Sequence, residues 1–353
     1  MVEEAARRLK SGDLRAKIEA ARDVRRLVRN SSSSNSKSAV RCRFAAAGVI
    51  EPLVSMLHNS LPLAAREAAL LALLNLAARN QRNKIRIVTA GAIPPLVELL
   101  KNQTGNLREL AAAAVLSLSS AASNKPTIAA SGAAPLLVQI LCSGSVQGKV
   151  DAVTALYYLS TCEEEPKLVL DAKAVPPLID LLKECKKYSK FAEKTTFLLE
   201  IFSASEEGRT AITNMGGGIL ALVETVEDGS SVSMSHAVGA LLSLCQSSRD
   251  KYRELILKEG AIPGLLRLTA EGTPSAQDRA RALLDLLRDS PPERRFTSSE
   301  LERIVYNFAA NVDGKDKAVE TAKKLLQDMV QKSMELNLNR KKLRTSPCTS
   351  SKI

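Results

Sequence analysis

The sequence predicts an all-α protein built as a repeat solenoid, and three observations carry that prediction. Apolar residues make up 45% of the chain and are mostly Leu and Ala, while aromatics are 3% and Trp is absent. Leu and Ala favour helix, and the residues that favour strands are thin. A ten-residue phrase recurs six times at near-constant spacing, and longer apolar segments with helical periodicity lie between its copies.

The phrase reads GVIEPLVSML from Gly48, GAIPPLVELL from Gly91, GAAPLLVQIL from Gly132, KAVPPLIDLL from Lys173, GGILALVETV from Gly217 and GAIPGLLRLT from Gly260. The steps between starts are 43, 41, 41, 44 and 43 residues. Gly takes the left-handed conformation that closes a helix. Pro three or four residues later, where present, is pre-set for the first turn of the next helix and cannot continue the previous one. Each phrase therefore marks a sharp turn between two short helices. The longer segments that follow are Ala65 to Arg79, Leu107 to Ala121, Gly148 to Thr161, Lys190 to Ala204, Met234 to Gln246 and Ala276 to Arg288. One unit is thus short helix, short helix, long helix. No unit can bury its apolar face alone, and stacking supplies the missing cover.

The two ends depart from the pattern. Val2 to Leu9 reads as a second helix and Asp13 to Arg29 as a long one, with no first helix before them. Their polar, charged character fits a capping repeat. The Ser-rich run 31–38 is expected as a flexible loop inside a solenoid spanning 1–290. Pro291-Pro292 opens a linker over 291–296. Ser298 to Ala310 and Asp316 to Leu336 read as two further helices, the first with the capping-box pattern Thr297-x-x-Glu300, and 297–336 is expected to cap the far end. The polar, basic segment 337–353 is expected to be disordered.

Composition narrows the chemistry. The six cysteines, Cys42, Cys142, Cys162, Cys185, Cys245 and Cys348, form no C-x-x-C pair, so neither a zinc site nor a disulfide framework is expected. With no signal-peptide pattern read at the N-terminus, the thiols are expected to be reduced and the chain is expected in the cytoplasm, the nucleus or both. No apolar run approaches the roughly 18 residues of a membrane span. His58 and His236 are the only histidines and lack metal spacing. Gly216-Gly217-Gly218 has no preceding strand and no following Lys-Ser/Thr, so it reads as a repeat turn and not as a phosphate loop. No nucleophile, base and orienting group can be assembled, and no enzyme, cofactor, metal or small-molecule substrate is expected.

The formal charge is +12, and before residue 44 twelve basic residues stand against five acidic ones. Nucleic acid would be one use of that charge, yet stacking aromatics are nearly absent. A second basic run, Arg340, Lys341, Lys342 and Arg344, could be a nuclear import signal, bind acidic surfaces or aid solubility. Ser346-Pro347 beside it has the form of a phosphorylation site.

A three-helix unit of about 42 residues with a Gly-Ala-Ile-Pro-Pro-Leu turn resembles the armadillo repeat. The closer likeness is to plant U-box ubiquitin ligases with armadillo repeats. It rests on Leu9-Lys10-Ser11-Gly12, Asn75-Leu76-Ala77, Asn83-Lys84 and Ala90 to Leu100, and it covers roughly residues 2–290. The resemblance implies a right-handed α-solenoid of about seven repeats with a C-terminal helical cap. The chain opens on repeats without a Cys-Pro-containing U-box sequence, so a relative lacking that module is expected.

In such solenoids the long helices line a concave groove. One position per long helix is expected to face it: Arg25, Asn75, Ser117, Tyr158, Glu200, Ser243 and Asp285, with Arg29 and Arg79 one turn beyond the first two. Family members that bind extended peptides use Asn here to pair with peptide backbone, and only Asn75 can inherit that role. Import receptors carry Trp one turn earlier, where this chain has Leu71, Ala113, Thr154, Thr196, Gly239 and Arg281, so import-signal binding in that style is not expected. The ladder begins basic and ends at Glu200 and Asp285, a field that would orient a partner. Seven layers at 8–10 Å give a groove of about 60–70 Å. It could take on the order of 20 extended residues. The functional expectation is a non-catalytic scaffold or adaptor that holds a partner protein, as an extended segment or helix, in this groove. The alternatives are a substrate-recognition component linked to ubiquitination and, third, a nucleic-acid binder.

Overall fold

A computed structural model describes residues 1–31, 33–102, 105–161 and 172–288, together with Lys324 and Gln331. The expected linker, the rest of the C-terminal cap, the basic tail with Arg340, Lys341, Lys342 and Arg344, and Cys162 lie outside the described residues.

Among the described residues the regular structure is helical, and nineteen α-helices follow the repeat in order. The opening layer is α1 (Val2–Ser11) and α2 (Leu14–Asn30). Next come α3 (Ser34–Ala46), α4 (Ile50–Ser55) and α5 (Leu63–Ala77), then α6 (Gln81–Thr89), α7 (Ile93–Leu100) and α8 (Asn106–Ser119). The fourth layer is α9 (Lys125–Ala129), α10 (Ala133–Ser143) and α11 (Val146–Ser160). They are followed by α12 (Val175–Glu184) and α13 (Lys190–Ser203), by α14 (Glu206–Asn214), α15 (Gly218–Asp228) and α16 (Ser231–Ser247), and by α17 (Arg249–Lys258), α18 (Ile262–Glu271) and α19 (Pro274–Leu287). The chain divides into two compact units, Met1–Leu181 and Leu182–Ile353, and the division falls within α12.

The turn chemistry is as the phrase requires. Gly48, Gly91, Gly132, Gly217 and Gly260 all have positive φ, between 71° and 84°. Only glycine adopts that backbone without a Cβ penalty. Pro stands in the first turn of α7 and of α18. Five of the seven long helices are started by side-chain caps: Asp13 accepts from Ala16 N, Ser145 from Gly148 N, Ser189 from Ala192 N, Ser230 from Ser233 N and Thr273 from Ala276 N, whereas α5 and α8 start at Pro62 and Gly105 without one. Each cap satisfies one of the amides a helix leaves without an internal partner.

The core of each unit runs through its long helices. In the first unit α2, α5, α8 and α11 pack in sequence, and in the second α13, α16 and α19 do. Small residues at the contacts, such as Ala20, Ala21, Ala69, Ala72, Ala111 and Ala112, are fully buried and let the helix axes approach. Leu70, Leu76, Leu99 and Leu100 fill the space between.

One expectation is corrected. The Ser-rich run 31–38 was expected as a loop, but helix α3 begins at Ser34 and carries the run into the fold. Ser33 caps it by accepting from Ser36 N at 3.1 Å. The helix is held from its far end, where Phe44 is fully buried and Arg41 donates to Asn75 O at 2.9 Å. Serine propensity is neutral enough for that packing to decide the conformation.

Candidate protein-binding face

In the first unit the ladder residues stand on consecutive long helices and are all half-buried: Arg25 on α2, Asn75 on α5, Ser117 on α8 and Tyr158 on α11. Arg29 and Arg79 are exposed. Asn75 Nδ2 donates back to Leu71 O at 2.8 Å, so its side chain is held in place while its side-chain oxygen Oδ1 has no partner among the described residues. The Ser117 and Tyr158 hydroxyls likewise bond to no described residue. The Tyr158 ring lies 5.6 Å from that of Tyr157 in a tilted arrangement. Arg25 Nε is buried without an acceptor. This face therefore keeps donors and acceptors in hand.

A row of cations runs along the C-terminal ends of the same long helices. Arg41 reaches Asn75 O. Lys84 Nζ donates to Ser120 Oγ at 2.7 Å, and Lys125 Nζ to Thr161 Oγ1 at 2.7 Å. Each comes from the first helix of its layer and sits where the helix dipole is negative. Burial, and next the charge of Arg79, pull the Arg41 guanidinium below its ordinary value, and burial does the same to the Lys84 ammonium. Arg79 itself has φ 53°. A left-handed backbone is unusual for any residue but glycine and marks a position worth a functional explanation.

Carboxylates serve the other ends of the helices. Glu109 accepts from Ser145 Oγ at 2.6 Å and Ser145 N at 2.8 Å. These two bonds hold its carboxyl below the ordinary range, against a smaller opposing effect of burial. Glu67 accepts from Asn106 Nδ2 at 3.0 Å in the same way, and in the second unit Glu193 accepts from Ser230 Oγ at 2.8 Å. A Glu early in one long helix thus ties down the start of the next.

The second unit treats its ladder residues differently. Glu200 Oε2 lies 2.6 Å from His236 Nδ1, and Glu200 Oε1 lies 2.9 Å from Arg279 Nη1. Arg279 also donates to Ser235 O at 2.8 Å, and the Phe197 ring meets His236 edge-on at 5.2 Å. One carboxylate thereby joins α13, α16 and α19. Gly239 makes this possible, because a Cβ there would collide with Glu200 Oε1 and Arg279 Nη1. Ser243 Oγ donates to Ser203 O at 2.8 Å, and exposed Asp285 lies 3.4 Å from Arg288. The acidic end expected of the ladder is therefore corrected at Glu200: Arg279 neutralises its carboxylate and the fold uses it. The residues from the other two helices, His236 and Arg279, were not anticipated as its partners, because 36 and 79 positions separate them from Glu200 in the sequence.

Other candidates are placed plainly. His58 Nδ1 lies 2.9 Å from Ser60 Oγ in the turn after α4. Gly217 closes the turn before α15, as a repeat turn should. Cys245 is buried and its thiol is pushed up to about 11, mainly by that burial. Among the described residues no group of His, Cys, Asp or Glu could hold a metal ion, and no single helix is long and apolar enough to cross a membrane.

Three-helix layers joined by a Gly–Pro turn, stacked through their long helices within each unit, define the class: an all-α solenoid of the armadillo-repeat type. A model of the Armadillo/beta-catenin-like repeat matches residues 80–120, and a model of the plant U-box protein ARM repeat region matches residues 143–305. Within that class the chain resembles the plant U-box proteins. U-box domain-containing protein 45 of Arabidopsis thaliana is 30% identical over 245 residues, covering 69% of this chain and 31% of that protein. U-box domain-containing protein 25 of Arabidopsis thaliana is 31% identical over 122 residues, covering 34% of this chain and 26% of that protein. The chain therefore spans about a third or less of these relatives. Among solved structures, an engineered protein from the Northeast Structural Genomics Consortium is 21% identical with a TM-score of 0.53, covering 94% of this chain and 98% of that one. At that identity the likeness shows the fold.

Proposed function

We propose that the protein is a non-catalytic scaffold that holds an extended segment of a partner protein on the ladder face of its first unit. The observation that carries this reading is the contrast between units. Asn75, Ser117 and Tyr158 keep hydrogen-bonding capacity on three consecutive helices, whereas Glu200 and Ser243 have theirs filled from within the fold. Polar groups spaced by one helix layer, about 8–10 Å, match the pitch at which an extended chain presents every second or third residue. Specificity would come from Asn75 pairing with peptide backbone and from Tyr158 supplying a broad, rigid contact.

The test is quantitative co-purification from source cells of the native chain and of a variant carrying Arg25→Ala, Asn75→Ala and Tyr158→Ala, after circular dichroism has verified that the variant folds. Proteins that bind the native chain and are lost from the variant support the reading. Undiminished capture by the variant overturns it.

A second reading is favoured by the U-box relatives. Here the chain presents its partner for ubiquitination by ligase machinery. Depleting the chain should then lower ubiquitin modification of the captured partner, and unchanged modification would count against this role.

A further inference from the structure

We infer that the first unit selects a carboxylate-rich protein segment, which it holds along an edge of the ladder face that carries charge of one sign only. This rests on the protein-binding reading above and specifies its partner. Between residues 24 and 161 the sequence holds fifteen Lys and Arg but five Asp and Glu. The placement of those five acids is the decisive observation. Glu51 and Glu98 lie on second helices, α4 and α7, and Glu67, Glu109 and Asp151 lie in the first halves of long helices α5, α8 and α11. Each already has a partner: Arg86 for Glu51, Lys101 for Glu98, Asn106 for Glu67, Ser145 for Glu109 and Gln147 for Asp151. First helices α3, α6 and α9 carry no acid, and neither do the second halves of α5, α8 and α11; the second half of α2 carries one, Asp23, whose two oxygens are taken up by Arg8 and Arg26.

These acid-free segments meet along one edge. Arg25, Arg29, Arg41, Arg79, Lys84 and Lys125 occupy it across four successive layers, from α2 to the end of α11. The three inner cations are fixed by bonds to the helix ends, so ordering them costs a partner nothing further. Each helix end offsets about half a unit charge, which leaves the edge positive. Arg25 Nε lacks an acceptor and Arg79 holds a left-handed backbone, so two of the six are held at some cost in the free chain. Four layers at 8–10 Å span about 30–40 Å, or on the order of ten extended residues. A carboxylate at every second or third residue would meet each layer. A nucleic acid fits less well, since Tyr157 and Tyr158 stand at one end of the edge only and Phe44, the other described aromatic of the first unit, is fully buried, so most layers offer no ring to stack a base.

The experiment uses the full chain and fluorescein-labelled 16-residue peptides in which Glu, Gln or Lys alternates with Gly-Ser, together with a single-stranded DNA of the same length. Binding is measured by anisotropy from 25 to 300 mM salt. An edge variant carries Arg29→Gln and Arg79→Gln, and a control variant carries Arg15→Gln and Lys149→Gln, removing the same charge elsewhere in the unit. The inference predicts that the Glu peptide binds most tightly and weakens with salt. It also predicts a loss of about tenfold in the edge variant and less than twofold in the control. Equal losses in the two variants would reduce the effect to net charge and overturn the inference, as would tighter binding of the DNA or of the Gln or Lys peptide. The outcome is separable from the broader reading. If cellular partners are lost from the ladder variant yet retained by the edge variant, protein binding stands and the acidic specificity fails. If neither variant loses them, both fail.

Discussion

Asn124 offers the sharpest test of what holds the layers together. It is 2% exposed, and its amide nitrogen donates to Leu118 O at 3.0 Å and to Lys84 O at 3.1 Å. One side chain at the start of the fourth layer thus binds two helices of the third, α8 and α6. Asn124→Ala removes two buried hydrogen bonds at about 1 kcal/mol net each and leaves a small void, so a loss of about 2–3 kcal/mol is expected. In a unit of this size that is a fall of about 4–12 °C in Tm. Asn124→Asp is the informative companion, because it keeps the shape but aims a carboxylate at two carbonyl oxygens. At neutral pH it should be worse than Asn124→Ala, since a buried charge without a donor costs more than a missing bond. The introduced carboxyl would have a folded pKa raised above its unfolded value, so the native state binds the extra proton. Stability of this variant should therefore rise as pH falls from 7 towards 4, where the carboxyl becomes a donor again. Asn83, one layer earlier, makes the same two contacts less well, with Leu76 O at 3.0 Å and Arg41 O at 3.4 Å. Asn83→Ala should cost less than Asn124→Ala. Melting followed by circular dichroism decides the matter. The reasoning is refuted if Asn124→Ala shifts stability by under about 0.5 kcal/mol, or if Asn124→Asp melts like Asn124→Ala at every pH.

Three further outcomes follow from the geometry. Gly91 has φ 84° and open space where a Cβ would stand, so Gly91→Ala should cost about 1–2 kcal/mol from backbone strain alone, measured by urea unfolding. Glu109 is held below the ordinary carboxyl range by Ser145, so its folded pKa is depressed and its contribution to stability is present above the unfolded pKa and fades as pH falls through the folded one. Ser145→Ala should move the Glu109 titration upward by NMR, and an unmoved titration would remove Ser145 as the cause. Cys245, raised to about 11 and buried, should resist iodoacetamide at pH 8 while exposed Cys42 and Cys142 react, and peptide mapping reads the difference.

Much of the fold was legible in the chain itself. The helix-closing glycines and the prolines after them act within a few residues, so their spacing sets where short helices end and begin wherever the chain sits. Periodicity in segments such as Leu107 to Ala121 reports a buried face for the same local reason. The Ser-rich run before Phe44 escaped that logic. Nothing within eight serine-rich residues commits them to helix, and the decision comes from Phe44 and Arg41, which are fixed against the rest of the unit. The ladder was readable as a row of polar positions, but its use was not. Glu200 and Asn75 look alike as single polar residues between apolar neighbours. Only tertiary structure brings His236 and Arg279 to Glu200 over Gly239, and leaves the side-chain Oδ1 of Asn75 open. Likewise Asn83 was readable within the Asn83-Lys84 phrase and Asn124 was not singled out at all, and the partners of both are carbonyls of other helices. Local sequence determines backbone conformation because turns and caps are short-range. Which polar side chains remain available to a partner depends on which others the fold has brought within 3 Å, and that only packing decides.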